Sequence, residues 1–377
     1  MAISGAGGTS AGSGEVPEAG TAGQGRAGSG PSSTTGTAGS RGPASMTAGA
    51  PAAGSSAAGS PANPPGTSTA GATAAGAGAA AAAAGSGGMQ PPAVACNPAD
   101  KGPDPKPASF KQIMGYQNLA KAPTTGPNNA VLEEDPGLPD WTIYRPEMLG
   151  EELHPVLAWG EGGCLQNGTL YGNWLLELAS HGYIVVADGP PTEAGSDPIG
   201  AGMRAGADGK VLVGAIEWLI KENDRPCSRF YKKVATTKLA VAGQSCGGLM
   251  AMYSAGDKRI TTAVIGNSGL FAADQATYSA LHSPIVFLIG GSSDIAYQNA
   301  ERDYMNINNV PIFNANMDTG HGGTWNSPNG GEFGRVGKAW LDWQLKGDMA
   351  ASKLFSGVDC ELCKSPSMWT VKKKMLD

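Results

Sequence analysis

Charge and core-forming side chains are scarce at the start of this chain. From Met1 to about Gln90 it is almost wholly Gly, Ala, Ser, Thr and Pro, and its only charges are Glu15, Glu18, Arg26 and Arg41. Such a segment has too few aromatic and branched apolar residues to offset the entropy of ordering its backbone. Residues 1–90 are therefore expected to be a disordered linker, whose Ser, Thr and Pro could carry O-linked sugars, with binding by the tract as the lesser reading. The alanine run Ala79–Ala84 is closely flanked by glycine and is too short for a stable helix. The four charges cancel, so the formal net charge of −6 belongs to the rest of the chain. That remainder is mildly acidic and has no Lys/Arg run longer than the three of Lys372–Lys374, which argues against nucleic acid and against an anionic membrane surface as partners. No run approaches the ~20 apolar residues of a membrane span. The start, MAISGAGG, shows neither an apolar signal region nor a lipid-attachment cysteine.

Cysteine is absent from the first 90 residues, and all six lie beyond them: Cys96, Cys164, Cys227, Cys246, Cys360 and Cys363. An even count in a domain that reads as exported favours disulfides. Cys360 and Cys363 form a lone C-x-x-C with no second pair and no nearby histidine, so a structural disulfide is favoured over zinc. No metal site is expected.

From Trp141 onward, strand and helix patterns alternate. Strands are expected at Trp141–Pro146, Pro155–Trp159, Tyr183–Asp188, Lys238–Gln244, Thr262–Gly266, Pro284–Gly290 and Pro311–Met317. Helices are expected at Tyr171–His181, Val211–Lys221, after Ser245-Cys246-Gly247-Gly248 through Ser254, Asp294–Ile307 and Phe333–Lys346. The continuous apolar runs, such as YIVVAD, are those of strands buried on both faces of a parallel sheet. This order predicts an α/β fold with a doubly wound, mostly parallel sheet in one domain over residues 91–377. Working residues in such sheets sit at the carboxyl ends of strands.

Gly243-Gln244-Ser245-Cys246-Gly247 is a G-x-S-x-G between a strand and a helix. Glycines two before and two after allow the sharp turn that lifts a serine above the sheet. Ser245 is thus the candidate nucleophile, and it needs a base. The chain has only four histidines. His154 and His181 read as surface or capping residues, and His282 precedes a strand at the wrong end of the sheet. His321 follows the last strand in a glycine-rich loop and is the candidate base. Asp294 follows the penultimate strand, which gives the order Ser245, Asp294, His321 expected for α/β-hydrolases. Asp318 is the competitor, read as a local loop-holding residue, and Asp303 reads as a solvated mid-helix carboxylate. The oxyanion donors are expected to be the backbone N–H groups of Cys246 and of Glu161, in the loop Gly160–Cys164. Cys164 and Cys246 both flank that place. A disulfide between them would lock the two loops, and two unpaired core thiols is the competing reading.

At these residues a family resemblance becomes specific. PVLAWGEGGCLQNG, LASHGYIVVAD, GQSCGGLMA, GGSSDIAY, GHGGTW and WLDWQLKGD resemble an exported branch of α/β-hydrolases, similar to the poly(ethylene terephthalate) hydrolase, cutinase and chlorophyllase-like group. The resemblance covers about Trp141 to Gly347. It implies a Ser245–His321–Asp294 triad, an acyl-enzyme and no cofactor. The sequence departs from the polyester pattern in three places. Glu161 stands where an aromatic residue is usual, Cys246 where Met is usual, and Asn267-Ser268-Gly269-Leu270 where a Trp is usual. Trp159, Tyr297, Trp325 and Phe271 are candidates to wall the pocket instead, with core packing as the competing reading. Gln244, beside the nucleophile, joins the first three as a candidate substrate contact. The connection from Gly266 to Pro284 leaves no room for a lid domain.

The expected activity is a secreted or surface-tethered, monomeric carboxylic-ester hydrolase with an open site, whose ester substrate is polymeric in the polyesterase or cutinase-like reading. A carbohydrate esterase deacylating polysaccharides is the alternative, and a catalytically inactive surface-binding module the third.

Overall fold

The computed structural model describes residues 96–108, 122–191, 202–364 and 367–377. The linker expected over residues 1–90 lies outside them. Among the described residues the strands are β1 (Lys106–Ala108), β2 (Ala130–Asp135), β3 (Leu138–Pro146), β4 (His154–Gly160), β5 (Ile184–Asp188), β6 (Val234–Gln244), β7 (Ile260–Gly266), β8 (Ile285–Ile289), β9 (Ile312–Asn316) and β10 (Thr370–Lys374). The helices are α1 (Gly172–Ser180), α2 (Lys210–Asp224), α3 (Cys246–Ser254), α4 (Gln275–Ala280), α5 (Tyr297–Asn306), α6 (Gly331–Leu341) and α7 (Met349–Ser352).

The strands form one sheet in the order β1-β2-β3-β5-β4-β6-β7-β8-β9-β10. The six from β5 to β9 are parallel to their neighbours, while β1 to β3 and β10 pair antiparallel at the two edges. Strand alternation divides the core between two faces. Leu157 and Trp159 of β4 join Trp174, Leu178, Val336 and Trp340 from α1 and α6. Val156 and Ala158 join Leu212, Leu219, Met250 and Ala300 from α2, α3 and α5 on the other face. Because the central strands are covered on both sides, their sequences show apolar runs rather than alternation.

The chain passes from β4 to β5 on one side and returns to β6 on the other. The crevice at the carboxyl ends of β4 and β6 is therefore a topological switch point, where ligands bind in such sheets. Residues Gly160–Cys164 and Ser245 stand there. All six cysteines are bonded: Cys96–Cys227, Cys164–Cys246 and Cys360–Cys363. Among the described residues no helix is long and apolar enough to cross a membrane.

Several elements differ from expectation. The edge strands β1, β2 and β10 and the short α4 and α7 carry weak periodicity and are not predicted by the sequence, and α3 begins at Cys246 rather than after Gly248. Helix α5 begins at Tyr297 rather than Asp294, because the Asp294 carboxylate accepts the Ala296 N–H at 2.9 Å and holds a turn before the helix. The last predicted helix ends at Leu341 and passes into a π-turn over Asp342–Lys346, where Tyr183, Lys338 and Lys346 converge on the Asp342 carboxylate. His154 is buried, its two ring nitrogens each 2.8 Å from a carbonyl, of Gly182 and of Leu149. Asp303 is buried rather than solvated, because three groups converge on its carboxylate. It accepts the Leu270 N–H at 2.6 Å and the Tyr278 hydroxyl at 2.7 Å, and it pairs with Arg302.

Candidate active site

Ser245 occupies the turn between β6 and α3 with φ 53° and ψ −115°. A non-glycine residue in that region is strained, and its neighbours hold it there. Its N–H donates to Gly266 O at 2.9 Å, and its carbonyl accepts the Ser268 hydroxyl at 2.7 Å. The turn is possible only because Gly247 lies directly on Gly160, where a Cβ would collide with the Gly160 carbonyl. The loop after β4 and the start of α3 are thus pressed together, and the Cys164–Cys246 disulfide joins them with a Cα–Cα distance of 5.2 Å.

The Ser245 hydroxyl is 2.8 Å from His321 Nε2, and His321 Nδ1 is 2.7 Å from Asp294 Oδ1. Because Asp294 can only accept when ionised, this arrangement puts the ring proton on Nδ1 and leaves Nε2 free to accept from the serine. Asp294 is buried, which opposes its ionisation. Hydrogen bonds from His321, from the Ala296 and Gly290 N–H groups and from Asn267 outweigh that, and its carboxyl lies below its ordinary value. Asp318 does not reach His321; its carboxylate accepts the Ser293 hydroxyl at 3.0 Å and so ties two loops together. His181 caps α1 beside Glu177, and His282 is exposed before β8.

Glu161 is fully buried. Neither its carboxyl oxygens nor the neighbouring Trp159 indole nitrogen makes a hydrogen bond of normal geometry. Burial pushes the Glu161 carboxyl well above its ordinary value; the Trp159 N–H opposes this and the nearby Asp188 charge adds to it. Asp188 itself is paired with Arg204.

Two clefts meet at Ser245 and His321. One, of about 130 Å³, is lined by Cys246, Leu249, Phe271, Ile295, Ala296 and Asn299 among others and is mainly apolar. Phe271 and Ile295 stand at its rim, 81% and 79% exposed. The backbone beneath Phe271 is held from α5: Asp303 takes the Leu270 N–H, and Arg302 donates to the Leu270 carbonyl. The other cleft, of about 340 Å³, is lined by Gly162, Gly163, Tyr171, Gln244, Gly322 and Asn326 among others.

The candidate wall residues are placed differently from expectation. Trp159 and Trp325 are wholly buried and line neither cleft; with Trp174 they make an aromatic cluster beneath the site, with ring centroids 4.8–5.6 Å apart. Strand alternation turns Trp159 down into the α1–α6 layer, and Trp325 is drawn there by its indole bond to Asn267. Tyr297 packs against the opposite core layer, while its neighbours Ile295 and Ala296 face the cleft. Gln244 does line the second cleft, but both ends of its amide are engaged: it accepts from the Tyr171 hydroxyl and donates to His321 O, each at 2.8 Å. Phe271, one of four candidate aromatics, is the one that reaches the cleft. No group of three or more His, Cys, Asp or Glu side chains among the described residues could hold a metal ion.

A switch-point serine, a histidine after the last parallel strand and an acid after the one before it define an α/β-hydrolase. The chain belongs to the PET hydrolase-like family, whose sequence pattern matches residues 93–368. That range takes in the Pro-rich segment before Trp141 and most of the tail after Gly347, both beyond the stretch where the resemblance was apparent from motifs. Comparison with curated proteins finds no match. Family membership implies an ester hydrolase, and the three disulfides fit an oxidising compartment.

Proposed function

We propose that the chain is a serine carboxylic-ester hydrolase working through an acyl-enzyme. The observation that carries this reading is the unbroken hydrogen-bond line from Ser245 Oγ through His321 to Asp294, at 2.8 and 2.7 Å. His321 Nε2 takes the Ser245 proton as Oγ attacks the ester carbonyl. Asp294 holds the imidazole in the required tautomer and stabilises the imidazolium. The oxyanion is received by the backbone N–H groups of Cys246 and Glu161. Cys246 supplies the first amide of α3, which has no partner inside the helix, and the Gly160–Gly247 contact supports Glu161 as its companion. His321 returns the proton to the leaving alkoxide, and water then repeats the sequence on the acyl-Ser245.

The apolar cleft beside Leu249, Phe271 and Ile295 suits the acyl part, and the rim aromatic suits a polyester or cutin-like chain. A second reading, deacylation of a polysaccharide, is favoured by the larger second cleft, where Gln244, Tyr171 and Asn326 set polar side chains among apolar ones beside Ser245 and His321. Under either reading the domain is exported, acts as a monomer on an ester substrate, and is carried on the linker of residues 1–90.

The test is hydrolysis of short and long p-nitrophenyl acyl esters by the wild type and by Ser245→Ala. The variant is expected to lose about 10⁴-fold or more in kcat while keeping its fold. A folded wild type without turnover would overturn the proposal and favour the inactive binding module. Acetylated xylan set against a polyester film then separates the two substrate readings.

A further inference from the structure

The carboxylate facing His321 is itself held by a side chain that no sequence motif marked. Asn267 follows β7 directly, is fully buried, and has φ 44°, a left-handed conformation that asparagine tolerates better than most residues. Its Oδ1 accepts the Trp325 indole N–H at 2.8 Å. Because an indole nitrogen can only donate, this contact fixes which end of the amide is oxygen. The amide nitrogen therefore faces the other way. It donates to Asp294 Oδ2 at 2.8 Å and to the carbonyl of Gly320, the residue before His321, at 3.2 Å.

Asn267 thus spends both its hydrogens and its oxygen inside the protein. Asp294 accepts from two backbone N–H groups, from His321 and from Asn267, so among the described residues Asn267 is its one side-chain donor other than the histidine. Trp325 lies in the loop after His321 and Asn267 after β7, so one amide links the acid, the histidine loop and the neighbouring strand.

We infer that Asn267, locked by Trp325, is a positioning residue that fixes the Asp294 carboxylate toward His321. This rests on the ester-hydrolase reading of the site. Neither side chain of closest shape reproduces these three bonds. Leucine would leave the Trp325 N–H, the Gly320 carbonyl and one Asp294 oxygen each short of a partner. Aspartate would set two carboxylates against each other and force one to hold a proton.

The experiment compares the wild type, Asn267→Ala, Trp325→Phe and the double variant, by kcat and KM on a p-nitrophenyl ester and by the downfield proton resonance of His321 Nδ1–H. Trp325→Phe keeps the buried ring and removes only the donor, so it guards against a result due to misfolding. Asn267→Ala is expected to lower kcat about 10- to 100-fold, the worth of one hydrogen bond to a charged group, with KM nearly unchanged. It should also broaden or shift the resonance. Trp325→Phe should lower kcat by a smaller factor, and the double variant should be no worse than Asn267→Ala, because both act through one amide. Wild-type kcat and an unmoved resonance in Asn267→Ala overturn the inference, and so do fully additive losses in the double variant. If the wild type hydrolyses no ester, the functional reading fails by itself, and the resonance still reports whether Asn267 orders the Asp294–His321 pair.

Discussion

Replacing Glu161 by Gln should stabilise the protein increasingly as pH rises. Glutamine keeps the size of the side chain and removes its ability to ionise. The folded carboxyl is raised well above the usual 4.5, first by burial, against the opposing Trp159 N–H and with the added push of Asp188. An acid raised in the folded state makes folding bind a proton. Above about pH 4.5 the unfolded chain releases that proton while the folded chain keeps it. The native state then loses about 1.4 kcal/mol of stability per pH unit on this account. Below that pH the group is neutral in both states and costs nothing. The stability difference between Glu161→Gln and the wild type should therefore be flat in acid and rise at up to about 1.4 kcal/mol per unit above it. It levels off where the folded carboxyl finally ionises. Urea unfolding of both oxidised proteins from about pH 4 to about pH 9 measures that difference directly. The Asp188–Arg204 pair is present in both proteins, so its own titration largely cancels. A difference that does not vary with pH, or one that falls as pH rises, would refute the buried, protonated carboxyl.

Three further outcomes are expected. Cys164→Ala with Cys246→Ala should lower kcat more than it raises KM, because the loops carrying the two proposed oxyanion amides lose their covalent tie; chain-entropy arguments for a separation of 82 residues put the stability loss at about 4.5 kcal/mol, readable by urea unfolding. Phe271→Ala should cut kcat/KM roughly 5-fold for bulky or aromatic acyl esters and leave acetyl esters nearly unchanged, with a negligible change in Tm, since the ring is exposed at the cleft rim. Asp303→Ala should cost about 3 kcal/mol in thermal or urea unfolding by leaving Arg302, the Leu270 N–H and the Tyr278 hydroxyl without their acceptor, and should raise KM for the same bulky esters as the Phe271 loop loosens.

The convergence of Ser245, His321 and Asp294 was legible because it depends on chain order. A residue just past the end of a parallel strand must lie along one edge of the sheet, and four histidines leave little choice among bases. The central strands were legible because burial on both faces writes a continuous apolar run. What surrounds the site was not. Whether Trp159 faces the cleft or the core depends on strand phase relative to the layer it packs against. Tyr297 and Ile295 differ by two positions at a helix start, and only one reaches the cleft. Asn267 sits in a stretch that was noted for the tryptophan it lacks, and its role appears only when Trp325, Asp294 and Gly320 arrive from three other loops. Asp303 reads as an ordinary helical carboxylate until Leu270 and Tyr278 fold back over it. The edge strands β1, β2 and β10 escaped because three to six residues at the edge of a sheet carry little periodicity.

Ser245 and Cys246 place two nucleophiles side by side at the start of α3. A free thiol at a helix amino end loses its proton readily and would be far more reactive than the hydroxyl next to it. Acyl groups or oxidants entering the cleft would find it first. With the sulfur committed to Cys164, that competition is absent, and in the proposed mechanism the attack falls to the serine alone. Folding in a reducing compartment would give the opposite result: a half-buried thiol at the cleft beside a loosened loop, open to trapping by an alkylating reagent. Under the proposed mechanism, oxidation would thus select which of two adjacent atoms acts as the nucleophile.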